Sequence, residues 1–178
     1  MSLSGNATLT RKYVEAVKDF PCKVLDTRKT TPGLRTLEKY AVRMGGGTNH
    51  RIGLYDAALV KDNHIEATGS ISEAVKAVRR HAPFMAKVEV EASTLKQVQE
   101  AIDAGADVIM LDNMTHAQMA EAVKLVNKRA WIEASGGITL ENIREVAATG
   151  VDFISSGALT HSAPVVDFNM KITINATR

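Results

Sequence analysis

The chain has 178 residues, 45% of them hydrophobic and 24% charged, with 22 basic side chains against 20 acidic ones. That suffices for one core of ordinary globular composition, and a net charge of +2 is too balanced for a general nucleic-acid or membrane-surface binder, so any basic cluster has to be local. The single Cys22 excludes an internal disulfide and suits a reducing cytoplasm, and the chain shows neither a long apolar run nor an export leader. The expected location is cytoplasmic, with no membrane and no nucleic acid as partner, and the opening Met1-Ser2-Leu3 is given no role.

Six short apolar segments ending in small or polar residues predict strands: KVLDT (23–27), AALVKDN (57–63), KVEVE (87–91), VIMLDN (108–113), WIEASGG (131–137) and FISSG (153–157). Helical spacing fills most gaps between them. SISEAVKAVRRH (70–81) places Ile71, Ala74, Val75 and Val78 on one face, with Ser70 and Glu73 as a capping box. TLKQVQEAIDAG (94–105) stops at Gly105, and THAQMAEAVKLV (115–126) and TLENIREVAATG (139–150) repeat the pattern. The strand ends Glu91, Asp112, Ser135 and Ser156 recur at intervals of 21 to 23 positions. Repeated βα units mean an α/β fold with a parallel sheet and right-handed crossovers. Glycine loops after the late strands favour a parallel βα-repeat barrel, an incomplete or open TIM-like barrel of six to seven strands. VVDFNMKI (165–172) is a candidate additional edge strand, and residues 1–178 form a single domain.

In such a barrel the working residues gather at the C-terminal strand ends. There the chain offers Asp26, Thr27, Arg28 and Lys29, then Lys61 with Asp62 and Asn63, then Glu89 and Glu91, then Asp112 and Asn113. His50 and Arg51 follow a triple glycine. Taken singly these cations read as surface charges; beside strand ends and bendable backbone they read as the lining of an anion pocket. Glu91 and Asp112 end apolar strands, where a carboxylate needs a partner; they either close the rim by salt bridges or face developing positive charge, ribose hydroxyls or a metal. Glu89 lies deeper and is expected to pair with Lys87. The loops Ser135-Gly136-Gly137 and Ser156-Gly157 offer backbone N–H groups that suit a phosphate. His64, His81 and His116 lack metal-ligand spacing, and Cys22 reads as core packing.

At this point the motifs themselves carry a resemblance. LSGNAT (3–8), DTRKTTPGLR (26–35), YAVRMGGGTNHRIGLYDAALVKDNH (40–64), VEVE (88–91), IMLDN (109–113), EASGGI (133–138) and ISSGALTHS (154–162) resemble, in order, the quinolinate phosphoribosyltransferases, the nicotinate-nucleotide pyrophosphorylases. Small departures include Ala92 after Glu91 and VVDFN near the end. The resemblance implies transfer of ribose 5-phosphate from phosphoribosyl pyrophosphate to the ring nitrogen of quinolinate, with loss of pyrophosphate and carbon dioxide, giving nicotinate mononucleotide for NAD biosynthesis. It implies Mg²⁺ with the donor's pyrophosphate and no organic cofactor. It assigns catalysis to Lys29, Lys61, Glu91 and Asp112, and the metal to Glu91 and Asp112. It assigns quinolinate and donor binding to Thr27, Arg28, Lys29, His50, Arg51 and Lys61, with Glu91 and Asp112 facing the ribose. Ser135, Gly136, Gly137, Ser156 and Gly157 would hold the 5-phosphate, with His161 nearby. The residue chemistry agrees: a dicarboxylate and a donor with phosphates at both ends call for several cations and N–H cradles.

Family members pair as homodimers or higher homo-oligomers and carry an N-terminal domain before the barrel that roofs the neighbouring active site. The match begins at the LSG segment, so the expectation is a catalytic barrel without that domain, turning over quinolinate poorly alone. Three other readings stay open: a Schiff-base aldolase using Lys61 or Lys29, a paralogous phosphoribosyltransferase with another acceptor, and a non-catalytic phosphate-binding barrel.

Overall fold

The computed structural model describes residues 1–173 of the chain. Its elements run α1 (Ser2–Ala16), β1 (Lys23–Leu25), α2 (Arg35–Met44), β2 (Ala58–Val60), α3 (Asp62–Thr68), α4 (Ile71–His81), β3 (Val88–Ala92), α5 (Leu95–Asp103), β4 (Val108–Asp112), α6 (His116–Val126), β5 (Trp131–Ser135), α7 (Ile143–Ala148), β6 (Phe153–Ser155) and α8 (Ala158–His161). All six predicted strands form, each within three residues of its predicted ends, the largest difference being β2, which stops at Val60.

The strands make one parallel sheet in the order β1-β6-β5-β4-β3-β2. Chain order therefore runs round the sheet from β2 to β6 and on to β1, as in a barrel, but β1 and β2 do not pair among the described residues. A single bridge from Leu25 to Thr48 begins to fill that gap. The barrel is open, with six strands. The candidate strand at 165–172 does not form: Val165, Phe168, Met170 and Ile172 are exposed there, and without a sheet edge to pair with, apolar content alone makes no strand.

Strand side chains alternate between two environments. One set, including Val88, Val90, Ala92, Ile109, Leu111, Ile132, Ala134 and Ile154, is buried within the main hydrophobic core. The other set points into the barrel and carries the polar groups Glu89, Glu91, Asp112, Glu133, Ser135 and Ser155. Parallel strands covered on both faces need this double burial.

Helix ends follow the sequence with one correction. Ser70 Oγ accepts from the Glu73 N–H at 3.2 Å, but Glu73 pairs with Lys76 at 2.9 Å rather than turning back to complete a capping box. Thr94 and Thr115 cap α5 and α6, and Gly105 takes φ 74° where α5 ends. The opening residues do carry structure. They begin α1, where Gly5 lies so close to the Pro164 carbonyl that a β-carbon would meet it at 2.0 Å, and buried Asn6 donates to Leu159 O at 2.8 Å.

Candidate active site

The C-terminal ends of the strands surround a cavity of about 730 Å³. Thr27, Arg28 and Lys29 reach it just after β1, His50 and Arg51 just after the Thr48 bridge, and Lys61 just after β2. Glu91 projects from β3, Asp112 ends β4, Ser135 ends β5 before Gly136 and Gly137, Ser156 and Gly157 follow β6, and His161 comes from α8. The fourteen residues that the resemblance assigns to the site all line this one cavity, as does Asn113. Four others offered at the strand ends do not: Asp26 and Glu89 are buried beneath it, and Asp62 and Asn63 are exposed on α3.

The cations hold one side. Arg28 keeps a buried Nε with no partner among the described residues. Arg51 donates through Nη1 to Ala57 O at 3.3 Å, and burial, then the charge of Arg28, lowers its affinity for its proton. Two guanidinium groups that repel each other, one with an orphaned donor, are arranged for an anion between them. Lys61 Nζ sits 2.6 Å from Glu91 Oε2, so that rim pair is already neutralised.

Beneath the cations lies a buried trio. His50 Nε2 is 3.0 Å from Glu89 Oε2 and 3.3 Å from Glu133 Oε2. This corrects the expected Glu89–Lys87 pairing; Lys87 is exposed at the far end of the barrel, while Glu89 is 5% exposed inside it. Burial disfavours the His50 cation, yet hydrogen bonds and attraction from Glu133 and Glu89 push its pKa up to about 10. Burial likewise pushes the Glu89 carboxyl up, with His50 opposing and Glu133 reinforcing. The Arg51 N–H lies 2.8 Å from His50 Nδ1, a contact that favours neutral imidazole. Two carboxylates outweigh one amide dipole in a dry interior, so the rise prevails and the amide contact limits it.

The opposite side of the cavity is backbone. Gly136 and Gly137 take φ 92° and 61°, and a β-carbon on Gly136 would meet Asn113 Oδ1 at 2.3 Å. Only glycine fits there. Ser156 Oγ donates to Ile138 O at 3.3 Å, joining the two glycine loops, and Thr160 Oγ1 donates to Lys29 O at 2.6 Å, joining them to the cations. A concave set of N–H groups opposite a cluster of cations suits a ligand with anionic groups at both ends.

Sequence reasoning missed Glu133 and Ser155, which also line the cavity. Glu133 had a readable signal: a carboxylate inside an apolar strand, two positions before Ser135 and so on its face. Ser155, whose buried Oγ lacks a partner among the described residues, gave none.

A family model described as quinolinate phosphoribosyl transferase, C-terminal domain, matches residues 6–171. The chain is 55% identical over 178 residues to the probable nicotinate-nucleotide pyrophosphorylase [carboxylating] of Synechocystis, covering 98% of this chain and 60% of that protein. It is 54% identical to the protein so named from Bacillus subtilis, covering 97% and 60%. The crystal structure of NadC from Streptococcus pyogenes superposes with a TM-score of 0.92 at 52% identity, over 96% of this chain and 60% of that one. The chain thus spans about three-fifths of the length of these relatives.

Proposed function

Because the chain belongs to the quinolinate phosphoribosyl transferase family, matching its C-terminal domain, we propose that its cavity binds quinolinate and phosphoribosyl pyrophosphate and joins them. The product is nicotinate mononucleotide, with pyrophosphate and carbon dioxide released. The observation that carries this is the cavity's division into a side of cations and a side of glycine N–H groups. Arg28, Arg51 and Lys61 suit the two carboxylates of quinolinate, and the 135–137 and 156–157 loops suit the 5-phosphate. The ribose then lies against Glu91 and Asp112. As the bond to pyrophosphate breaks, positive charge grows on the ribose, and these carboxylates meet it. The ring nitrogen bonds to that carbon and becomes a pyridinium. This cation accepts the electron pair when the adjacent carboxylate leaves as carbon dioxide, and a proton replaces it.

The carboxylates also fit Mg²⁺. Glu91 engages Lys61 through Oε2 and Asp112 engages Asn113 through Oδ2 at 3.0 Å, so each has a second oxygen for an ion completed by phosphate oxygens and water. When bound, the ion offsets the charge of the departing pyrophosphate. Among the described residues, the cluster of three His and acidic side chains close enough to share an ion is His50, Glu89 and Glu133, and neither Glu91 nor Asp112 belongs to that trio.

A Schiff-base role for Lys61 is disfavoured, because its ammonium is bonded to Glu91 rather than set among apolar or cationic neighbours. Association into a homodimer and a cytoplasmic location belong to the same proposal; among the described residues no helix is long and apolar enough to cross a membrane. The test is titration with quinolinate and phosphoribosyl pyrophosphate, followed by a product assay with the chain alone and with the remaining part of a full-length relative supplied separately. Quinolinate should bind far more tightly than uncharged pyridine. Equal affinity for the two would overturn the assignment.

A further inference from the structure

We propose that Lys39 and Asp26, neither of which touches the cavity, are positioning residues that fix the two cation-bearing segments of the site relative to each other. The proposal rests on the reading of the cavity as a dicarboxylate site. Lys39 lies on α2, whose outer side exposes Leu37, Tyr40 and Met44, yet Lys39 itself is only 3% exposed. A buried ion pair is a poor route to stability, since well-packed apolar residues do as well or better. Something else has to be gained from it.

The hydrogen bonds show what. Lys39 Nζ donates to Asp26 Oδ1 at 2.5 Å and to His50 O at 3.0 Å. Asp26 Oδ1 also accepts the His50 N–H at 2.8 Å, and Oδ2 accepts Asn49 Nδ2 at 2.6 Å. Asn49 Nδ2 donates back to Lys39 O at 2.9 Å. The result is a closed ring through three separate segments: the end of β1, the middle of α2, and residues 49–50. Arg28 follows Asp26 by two positions, and Arg51 follows His50 by one.

Both peptide groups of His50 end on the ion pair, so the spacing between Arg28 and Arg51 is set by side chains that never meet the ligand. An apolar pair could fill the volume but could not grip both backbones. Adjacent Glu38 works alike, accepting the Thr31 N–H at 3.0 Å and tying down the loop beyond Lys29. Rigid support of this kind matters because a binding constellation misplaced by ~0.5–1 Å loses much of its effect. The phosphate cradle hangs from β5 and β6 and, among the described residues, shares no hydrogen bond with the ring itself, meeting the neighbouring chain where Ser156 N–H donates to Leu25 O at 3.1 Å and Thr160 Oγ1 to Lys29 O at 2.6 Å.

The experiment compares the parent chain with Lys39→Met and with the pair Asp26→Asn plus Lys39→Met. Lys39→Met strands a buried carboxylate and should melt earlier; the double variant removes that orphan and should recover most of the melting temperature. Titrants are quinolinate, phthalate (the same adjacent carboxylates without the ring nitrogen) and inorganic phosphate. Both variants should bind the dicarboxylates at least ~10-fold more weakly, the scale of one lost charge-assisted contact, with phosphate affinity within about twofold of the parent. A double variant that regains both stability and dicarboxylate affinity overturns the proposal, and so does an equal loss of phosphate binding. If the parent binds phthalate but not quinolinate, the proposed reaction fails while the phthalate series still decides the role of the ring. Binding of neither by the parent overturns both. Should the Met variants not fold, Lys39→Arg, which keeps the charge but moves its donors, is read by the same criteria.

Discussion

At the N-terminal ends of the strands, carboxylates close on backbone amides. Asp107 Oδ2 accepts the Val88 N–H at 2.8 Å and Arg79 at 3.0 Å, Asp152 Oδ2 accepts the Ile132 N–H at 2.8 Å, and Trp131 leans on Phe153 with ring centroids 5.7 Å apart. At the C-terminal ends of the same strands, arginines repel each other, an Arg28 donor is orphaned, and glycines hold open a cavity. One rim satisfies its polar groups locally, and the other leaves them for a ligand. Strain and unspent hydrogen-bonding capacity mark the functional end of a barrel better than charge alone does, because both ends are charged.

The largest effects should come from carboxylates at the upper rim. Glu91→Gln and Asp112→Asn should each lower turnover by ~10²-fold, the usual scale for one group aimed at charge that develops in the transition state. Quinolinate affinity should change much less, since that charge is absent from the bound ground state. Glu91→Gln also releases Lys61, so its effect on binding should exceed that of Asp112→Asn. A defect confined to KM in both variants would contradict these roles.

Next come the cations. Arg51→Ala and Lys61→Ala should each weaken quinolinate binding by roughly 10- to 100-fold, corresponding to about 1.5–3 kcal/mol for a charge-assisted contact, while an uncharged pyridine is bound as before. Calorimetric titration of both ligands checks this, and parallel losses for the two would show a general collapse of the pocket.

The third prediction concerns the trio beneath them. The His50 pKa of about 10 lies above its ordinary 6.5, so its contribution to stability is complete below pH 6.5 and fades as the pH rises through 10. The raised carboxyl of Glu89 works in the same direction. Urea unfolding should therefore give a midpoint that falls between pH 7 and 10, with the free energy of unfolding dropping by no more than ~1.4 kcal/mol per pH unit for one proton. The fall should shrink in His50→Gln. A midpoint that rises over this range would reverse the assignment of charge.

What the sequence disclosed follows from how local each signal is. Strands and their ends were readable because alternation, turn residues and regular spacing all lie within a few positions, and βα repetition then dictates parallel neighbours. Thirteen of the fourteen residues assigned to the site were readable for the same reason, since each sits by a strand end or the triple glycine; His161 came only with the family resemblance. Lys39 was not: it looks like any helix lysine, and its burial is decided by Asp26 and His50, far along the chain. The Glu89 pairing was misjudged because period-two neighbours were favoured over a loop residue arriving from across the barrel. The 165–172 segment has strand-like composition, but the open edges are the outer sides of β1 and β2, and it reaches neither.

The smallest effect should come from the lower rim, and there the expectation is inverted. Asp152→Asn keeps the shape of the side chain and weakens its acceptance of the Ile132 N–H, which should cost about 1 kcal/mol of stability, the ordinary net worth of one such bond. Dicarboxylate and phosphate affinities should be untouched, because Ile132 faces the hydrophobic core and the cavity draws on the far ends of the same strands. Thermal unfolding alongside titration separates the two readouts. The comparison between rims requires that loss of stability and loss of binding dissociate, with Asp152→Asn changing only the first and Arg51→Ala mainly the second. If Asp152→Asn weakened ligand binding tenfold, the ends of the barrel would be mechanically coupled, and the division between a satisfied rim and a working rim would not hold.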